Sequence, residues 1–159
     1  MPATVRPHSV AVLPLLLVLI LTASLFALTT PAEARSRSHR VGDAYDIVRA
    51  QQGDRYRYGA AGPNRFDCSG LVYYSFRKAG FAKVPRTSDA QARHARRIKR
   101  KNMHRGDLVF FHKGRDVYHV GVYAGHRNGH RTIIHASRSG TPVKRDRIWT
   151  NSWYPGTLR

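Results

Sequence analysis

The hydrophobic periodicity of this chain changes once, and that change limits the fold more than any other feature. A spacing of three and four puts apolar side chains on one helix face, whereas strict alternation puts them on one face of a strand. Ala44, Ile47, Val48 and Gln51 share one side of a segment that Asp43 can cap and Gly53 can stop. From Ser69 to Ala79 the positions Leu71, Val72, Phe76 and Ala79 recur at helical spacing, with Asp67 as N-cap and Gly80 where a left-handed cap falls. Ser88, with Gln91 three residues on, is a capping-box signal for a third, shorter helix. Then the period becomes two. Residues 108–112, 117–124 and 132–136 are β-rich runs separated by Gly, Asn and Asp, as in an antiparallel meander. The tail, with Val143, Ile148, Trp149, Trp153 and Tyr154, is expected to add a strand and close the core. Helices first and strands afterwards predict an α+β domain.

The front of the chain reads differently. Arg6 precedes an apolar run from Val10 to Leu28, followed by Pro31-Ala32-Glu33-Ala34. A charged start, an apolar stretch and small residues at Ala32 and Ala34 have the form of a secretory signal. Residues 1–34 are therefore expected to be a targeting segment, with the mature chain starting at Arg35. An uncleaved anchor is the alternative, which Pro14 and the cleavage pattern oppose. Residues 35–42 lack apolar periodicity and read as a flexible basic lead-in to one domain over 43–159. Such a chain belongs in the periplasm or cell envelope, or outside the cell.

The chain carries 28 Lys and Arg against 9 Asp and Glu, a formal charge of +19. Removing 1–34 takes away one Arg and one Glu and leaves that balance unchanged. The excess favours anionic partners. An exported protein does not meet nucleic acid, so anionic envelope polymers are the expected ones. Residues 93–105 concentrate the charge, with seven Lys or Arg plus His94 and His104. They read either as an electrostatic anchor or as a solvated helix and loop.

Cys68 is the only cysteine, so no internal disulfide is possible and the thiol is left over. Placed in the first turn of a helix capped by Asp67, it would meet unpaired N–H groups and the positive end of the dipole, which favour a thiolate and could hold an oxyanion. Asp67 is expected to face the backbone rather than the sulfur. A nucleophilic thiol needs a base, and His119 in Tyr118-His119-Val120-Gly121-Val122-Tyr123 is the best candidate. Alternation places His119, Gly121 and Tyr123 on one strand face. His135 is placed to orient its ring. If the two histidines are direct cross-strand neighbours, residues 125–129 form a five-residue loop; a tight turn at Asn128-Gly129 would separate them unless a bulge restored the face.

Five motifs in order and spacing then resemble the NlpC/P60 family of cell-wall peptidases. They are Tyr56-Arg57-Tyr58-Gly59, Phe66-Asp67-Cys68-Ser69-Gly70-Leu71-Val72, Pro85-Arg86-Thr87-Ser88, Gly106-Asp107-Leu108-Val109-Phe110-Phe111 and His119-Val120-Gly121-Val122-Tyr123. The resemblance implies a papain-like fold with helices packed on an antiparallel sheet, and a Cys-His-polar triad falling on Cys68, His119 and His135. It gives Tyr56, otherwise a core aromatic, a hydroxyl that assists the oxyanion, and makes Ser69, Arg86 and Ser88 candidates for the oxyanion or substrate side. It implies peptidoglycan as partner, with hydrolysis of γ-D-glutamyl–diaminopimelate or D-alanyl–diaminopimelate bonds by a monomer that needs no cofactor or metal. Ala60 stands where the family usually has a second glycine. No acidic residue occurs in Arg86-Thr87-Ser88, which points to peptides still attached to glycan. Three rivals remain: a non-catalytic cationic wall-binding domain, a Cys-His metal site without an evident fourth ligand, and an amidase or acyltransferase using the same triad.

Overall fold

The computed structural model describes residues 31–158, with side chains from Arg37 onward. The chain divides into two compact units, 1–34 and 35–159. The expected targeting segment coincides with the first, of which residues 1–30 lie outside the described residues.

Helix α1 (Pro31–Ala50) begins well before Asp43, so Asp43 lies inside it rather than capping it, and the lead-in 35–42 falls on helix instead of coil. What holds this stretch is packing that no periodicity announces. Val41 packs against the main core. Arg40 lays its guanidinium 5.2 Å from the centre of the Phe81 ring and donates to the Gly80 carbonyl. The far end is as expected, with Gly53 at φ 102°. Two short strands, β1 (Arg55–Tyr56) and β2 (Arg65–Phe66), then pair in parallel.

Helix α2 (Cys68–Lys78) buries Leu71, Val72 and Phe76 and ends on a left-handed Gly80, with the Phe81 N–H returning to the Phe76 carbonyl at 3.0 Å. Helix α3 (Ser88–His94) is capped by Thr87, whose hydroxyl accepts from the Ala90 N–H, not by Ser88. Gln91 does not complete a capping box. It is wholly buried, and its amide donates to the carbonyls of Ser69 and Pro85 at 2.9 and 2.8 Å.

Six strands follow: β3 (Arg96–Arg97), β4 (Leu108–Lys113), β5 (Asp116–Arg127), β6 (His130–His135), β7 (Lys144–Arg147) and β8 (Trp153–Thr157). They form one antiparallel sheet in the order β3-β8-β4-β5-β6-β7. Its inner face, with Leu108, Phe110, Val120, Val122 and Ile134, packs with Ala44, Val48, Leu71, Val72 and Phe76 of the helices. Its outer face carries a smaller cluster of Val109, Phe111, Tyr123, Ile133 and Trp153. Both edge strands are charged, Arg-Arg in β3 and Lys-Arg-Asp-Arg in β7, which discourages pairing with another chain. The α+β architecture with helices against an antiparallel sheet is as the sequence predicts.

Candidate active site

Cys68 is the first residue of α2, where backbone N–H groups have no carbonyl partner within the helix. Asp67 faces the backbone as expected: one oxygen accepts from the Gly70 N–H at 2.6 Å, and the other from the Gly59 N–H at 2.9 Å. Arg86 grips the same carboxylate with both terminal nitrogens, at 3.0 and 2.6 Å, and also donates to the Ser69 hydroxyl. Burial pushes the Asp67 carboxyl up, but the bonds from Arg86 and Gly70 hold it below the ordinary carboxylate range. Arg86 and Ser69 thus spend most of their polar capacity securing the cap under the nucleophile.

The thiol differs from expectation. Burial pushes the Cys68 pKa above its ordinary value and the Asp67 charge adds to that, against backbone N–H groups of Val120 and Ser69 that favour the thiolate. The resting group is a thiol, because desolvation outweighs the helix terminus. Val120 can reach it because the β5–β6 ladder pairs Val122 with Ile134 and no residue further back along β5.

The histidines meet, though not by the expected route. Asn128 and Gly129, at φ 50° and 76°, make a two-residue turn between β5 and β6, so no five-residue loop exists. Pairing runs Arg127↔His130, His126↔Arg131 and Gly125↔Thr132, then shifts by one to Tyr123↔Ile133 and Val122↔Ile134. Ala124 is the extra residue, and this bulge returns His119 and His135 to the same outer face. Extending the register by one sets His135 across from Gly121, so the imidazoles meet on the diagonal rather than directly opposite. The Nε2 of His119 lies 2.8 Å from Nδ1 of His135. Gly121 makes room for Ile133, whose Cδ1 would stand 2.6 Å from any Cβ there. Burial, then the neighbouring His135, lowers the His119 pKa to about 3.

Behind His135 stands a residue that sequence reasoning missed. Asp146 of β7 places Oδ2 at 3.1 Å from His135 Nε2 and at 3.1 Å from Lys144 Nζ. Burial pushes its carboxyl up, but hydrogen bonds from His135 and Lys144 hold it low. For His135, burial outweighs the Asp146 contact and the pKa is lowered. Trp149 was also missed as a site residue. It stacks on Phe111 at 4.3 Å between ring centres and covers both imidazoles, instead of entering the core with the rest of the tail.

Cys68 and His119 open onto one cleft of about 550 Å³, together with Tyr56, Arg86 and Ser88. His135 lies behind His119, almost wholly buried. Exposed Tyr58 and Tyr118 also line the cleft and could contact a ligand there. Burial, followed by the nearby Cys68 and Asp67, raises the Tyr56 pKa, which keeps its hydroxyl a proton donor. Ser88 bonds the Val117 carbonyl at 3.2 Å, tying α3 to β5. The structure thus brings Cys68, His119, His135 and Tyr56 close together, while Arg86, Ser69 and Ser88 are engaged with the protein itself. Among the described residues no group of three or more His, Cys, Asp or Glu is arranged to hold a metal ion.

The NlpC/P60 family profile matches residues 53–159. The chain belongs to the NlpC/P60 family. A Corynebacterium glutamicum protein named "Probable endopeptidase Cgl2188" is 38% identical over 123 residues, 77% of this chain and 56% of its own length. "Probable endopeptidase p60" of Listeria monocytogenes is 44% identical over 109 residues, 67% of this chain and 21% of its own. The chain thus spans about half, or less, of these relatives. Among solved structures, the P60 domain of the Mycobacterium avium subspecies paratuberculosis antigen MAP1204 aligns with a TM-score of 0.65 at 27% identity, covering 76% of this chain and 96% of that one. RipD of Mycobacterium tuberculosis, described as "a non-catalytic NlpC/p60 domain protein", shares the fold with a TM-score of 0.61 at 22% identity, covering 76% of this chain and 96% of that one.

Within this NlpC/P60 domain two further motifs have structural explanations. Gly70 faces the Ala60 carbonyl so closely that a Cβ would lie 2.0 Å from the oxygen, which pins the Tyr58–Ala60 loop to the start of α2. Asp107, in the Gly106-Asp107 motif, is buried and accepts from the His104 N–H at 2.7 Å, shaping the entry into β4. The basic residues 93–105 spread over the end of α3, edge strand β3, a 3-10 turn (Arg100–Asn102) and the lead into β4. They are partly engaged: Arg97 lies 3.9 Å from the Tyr154 ring centre and Arg100 4.0 Å from that of Trp153.

Proposed function

We propose that this chain is an exported cysteine peptidase that hydrolyses peptide bonds of peptidoglycan, with Cys68 as nucleophile and His119 as base. The observation that carries the reading is the opening of a helix-initial thiol and a buried imidazole, backed by a second imidazole, onto one cleft. Thiol and imidazole both rest neutral, so His119 takes the proton as the sulfur attacks the carbonyl carbon. A C–S bond forms and the carbonyl oxygen becomes an oxyanion, received by N–H groups at the start of α2 and the Tyr56 hydroxyl. Collapse breaks the C–N bond, and His119 returns its proton to the leaving amine. Water then attacks the thioester with His119 again as base, releasing a carboxylic acid and the thiol.

The substrate bond is γ-D-glutamyl–diaminopimelate or D-alanyl–diaminopimelate. A cleft without an acidic residue at 86–88, and with Asp67 already paired, offers little to a free amino terminus, so stem peptides attached to glycan suit it better. The basic edge around β3 would hold the protein to anionic wall polymers through contacts that weaken as salt rises.

Digestion of purified peptidoglycan, with fragment masses read by mass spectrometry, tests this and identifies the bond. Cys68→Ala and Cys68→Ser should release no fragments, and sustained release by either sinks the proposal. The protonated resting thiol favours one second reading, a wall-binding domain without catalysis. Alkylation of Cys68 separates the two: a catalytic thiol reacts markedly faster in the parent than in His119→Ala, whereas equal rates favour the binder.

A further inference from the structure

We infer that Asp146 sets the protonation pattern of the two imidazoles, leaving Nδ1 of His119 as the nitrogen that receives the Cys68 proton. The tautomer part stands on the hydrogen-bond geometry together with the burial that keeps both rings neutral; the catalytic part rests on the peptidase reading above.

The argument runs inward from β7. An ionised carboxylate can only accept hydrogen bonds. Lys144 keeps Asp146 in that form by contacting the same Oδ2, and it leaves this oxygen free to accept a second bond. The ring nitrogen 3.1 Å away, Nε2 of His135, must therefore carry a proton. His135 is neutral near neutral pH because burial disfavours its charge, so its Nδ1 is bare and can only accept. Across 2.8 Å stands Nε2 of His119, which must then be the donor. His119 is neutral as well, which leaves its Nδ1 with a lone pair. Among the described residues that nitrogen has no hydrogen-bond partner, and its ring lines the cleft shared with Cys68.

Remove the carboxylate and the chain loses its fixed end. His135 could then protonate Nδ1 and offer it to His119 Nε2, which would have to accept. The proton of His119 would move to Nδ1, where it blocks transfer from the thiol. Asp146 is therefore a positioning residue, two side chains away from the reacting atoms. It also supplies the negative charge that offsets the imidazolium formed when the thiol is deprotonated.

Long-range ¹⁵N–¹H spectra of the purified full chain at neutral pH should show Nε2 protonated and Nδ1 bare in both rings. A protonated Nδ1 on His119 in the parent protein overturns the inference, whether or not any variant folds. Asp146→Ala should give mixed tautomers in both rings and lower kcat about ten- to hundredfold, with KM changed less than about twofold. Asp146→Glu should recover much of the rate. A single unchanged tautomer with unchanged kcat in Asp146→Ala also overturns it. If the parent released no wall fragments, the peptidase reading would fall while the spectra still decided the tautomers.

Discussion

The two faces of the central sheet are built on different principles. The inner face is mostly apolar, with Leu108, Phe110, Val120, Val122 and Ile134 in the main core, and many side chains of the right size and pattern would serve there. The outer face holds an apolar cluster too, but next to it runs Lys144–Asp146–His135–His119, in which each polar group contacts the next. The main core lies on the first face and the polar chain on the second. The alignment of the two histidines on the second depends on a single extra residue, Ala124.

The strongest test of that division substitutes one residue on each face. Phe110→Ala, in the inner core, should cost about 3–5 kcal/mol in chemical denaturation. The folded fraction should keep its kcat within a few-fold. His119→Ala should lower wall hydrolysis by about four orders of magnitude. Its stability cost should be only about 1–3 kcal/mol, from the acceptor stranded on His135. A Phe110→Ala protein that is stable but inactive would show that the faces are not separable.

The same division explains what could be read in advance. Alternation and helical spacing report burial against a core, so Leu71, Val72, Phe76, Val120 and Val122 were legible, and with them the α+β class. Cys68, Asp67 and His119 were legible because a cap, a leftover thiol and a lone strand histidine coincide with a family pattern. The first helix was placed too late because Arg40 and Val41 are held by Phe81 and the core across a long sequence separation, with no local signal. Asp146 was invisible because its role arises from pairing with Ile133 across β6–β7, beside His135, and a lone Asp in a basic tetrapeptide looks like surface. The alignment of His119 with His135 was stated only as a condition on a bulge, since the turn at Asn128-Gly129 is readable but an extra residue in the ladder is not.

Acid should separate the faces next. A histidine whose pKa is lowered on folding takes up a proton when the chain unfolds, at any pH between the two values. His119 therefore contributes stability that is whole above about 6.5 and is lost as pH falls toward about 3. Each such proton gives a slope of about 1.4 kcal/mol per pH unit, and His135 adds in the same direction. Denaturation curves at several pH values between 4 and 7 should thus be steeper in the parent than in His119→Ala. The inner-face variant Val122→Ala should lower the whole curve and leave its slope alone. Equal slopes in parent and His119→Ala would mean the imidazole is not held neutral by its surroundings.

The smallest expected effect concerns how the outer face stays dry. Trp149 is 46% exposed, yet its ring lies 5.8 Å from that of His119 and 5.5 Å from that of His135, and it stacks flat on Phe111. It is the cover that the inner face obtains from whole helices. Desolvation is the first cause of the low His119 pKa, so removing the cover should raise that pKa toward its ordinary value. Trp149→Ala should change activity only a few-fold near pH 7.5, and should lose progressively more as the solution is acidified, because His119 becomes protonated and can no longer accept. Trp149→Phe, which keeps an aromatic ring over the pair, should restore most of the acid limb. An acid limb that does not move in Trp149→Ala would show that the sheet itself, through Phe111 and Ile133, excludes water from the imidazoles. The outer face would then be closed by its own strands, and the contrast with the inner face would lie in polarity alone.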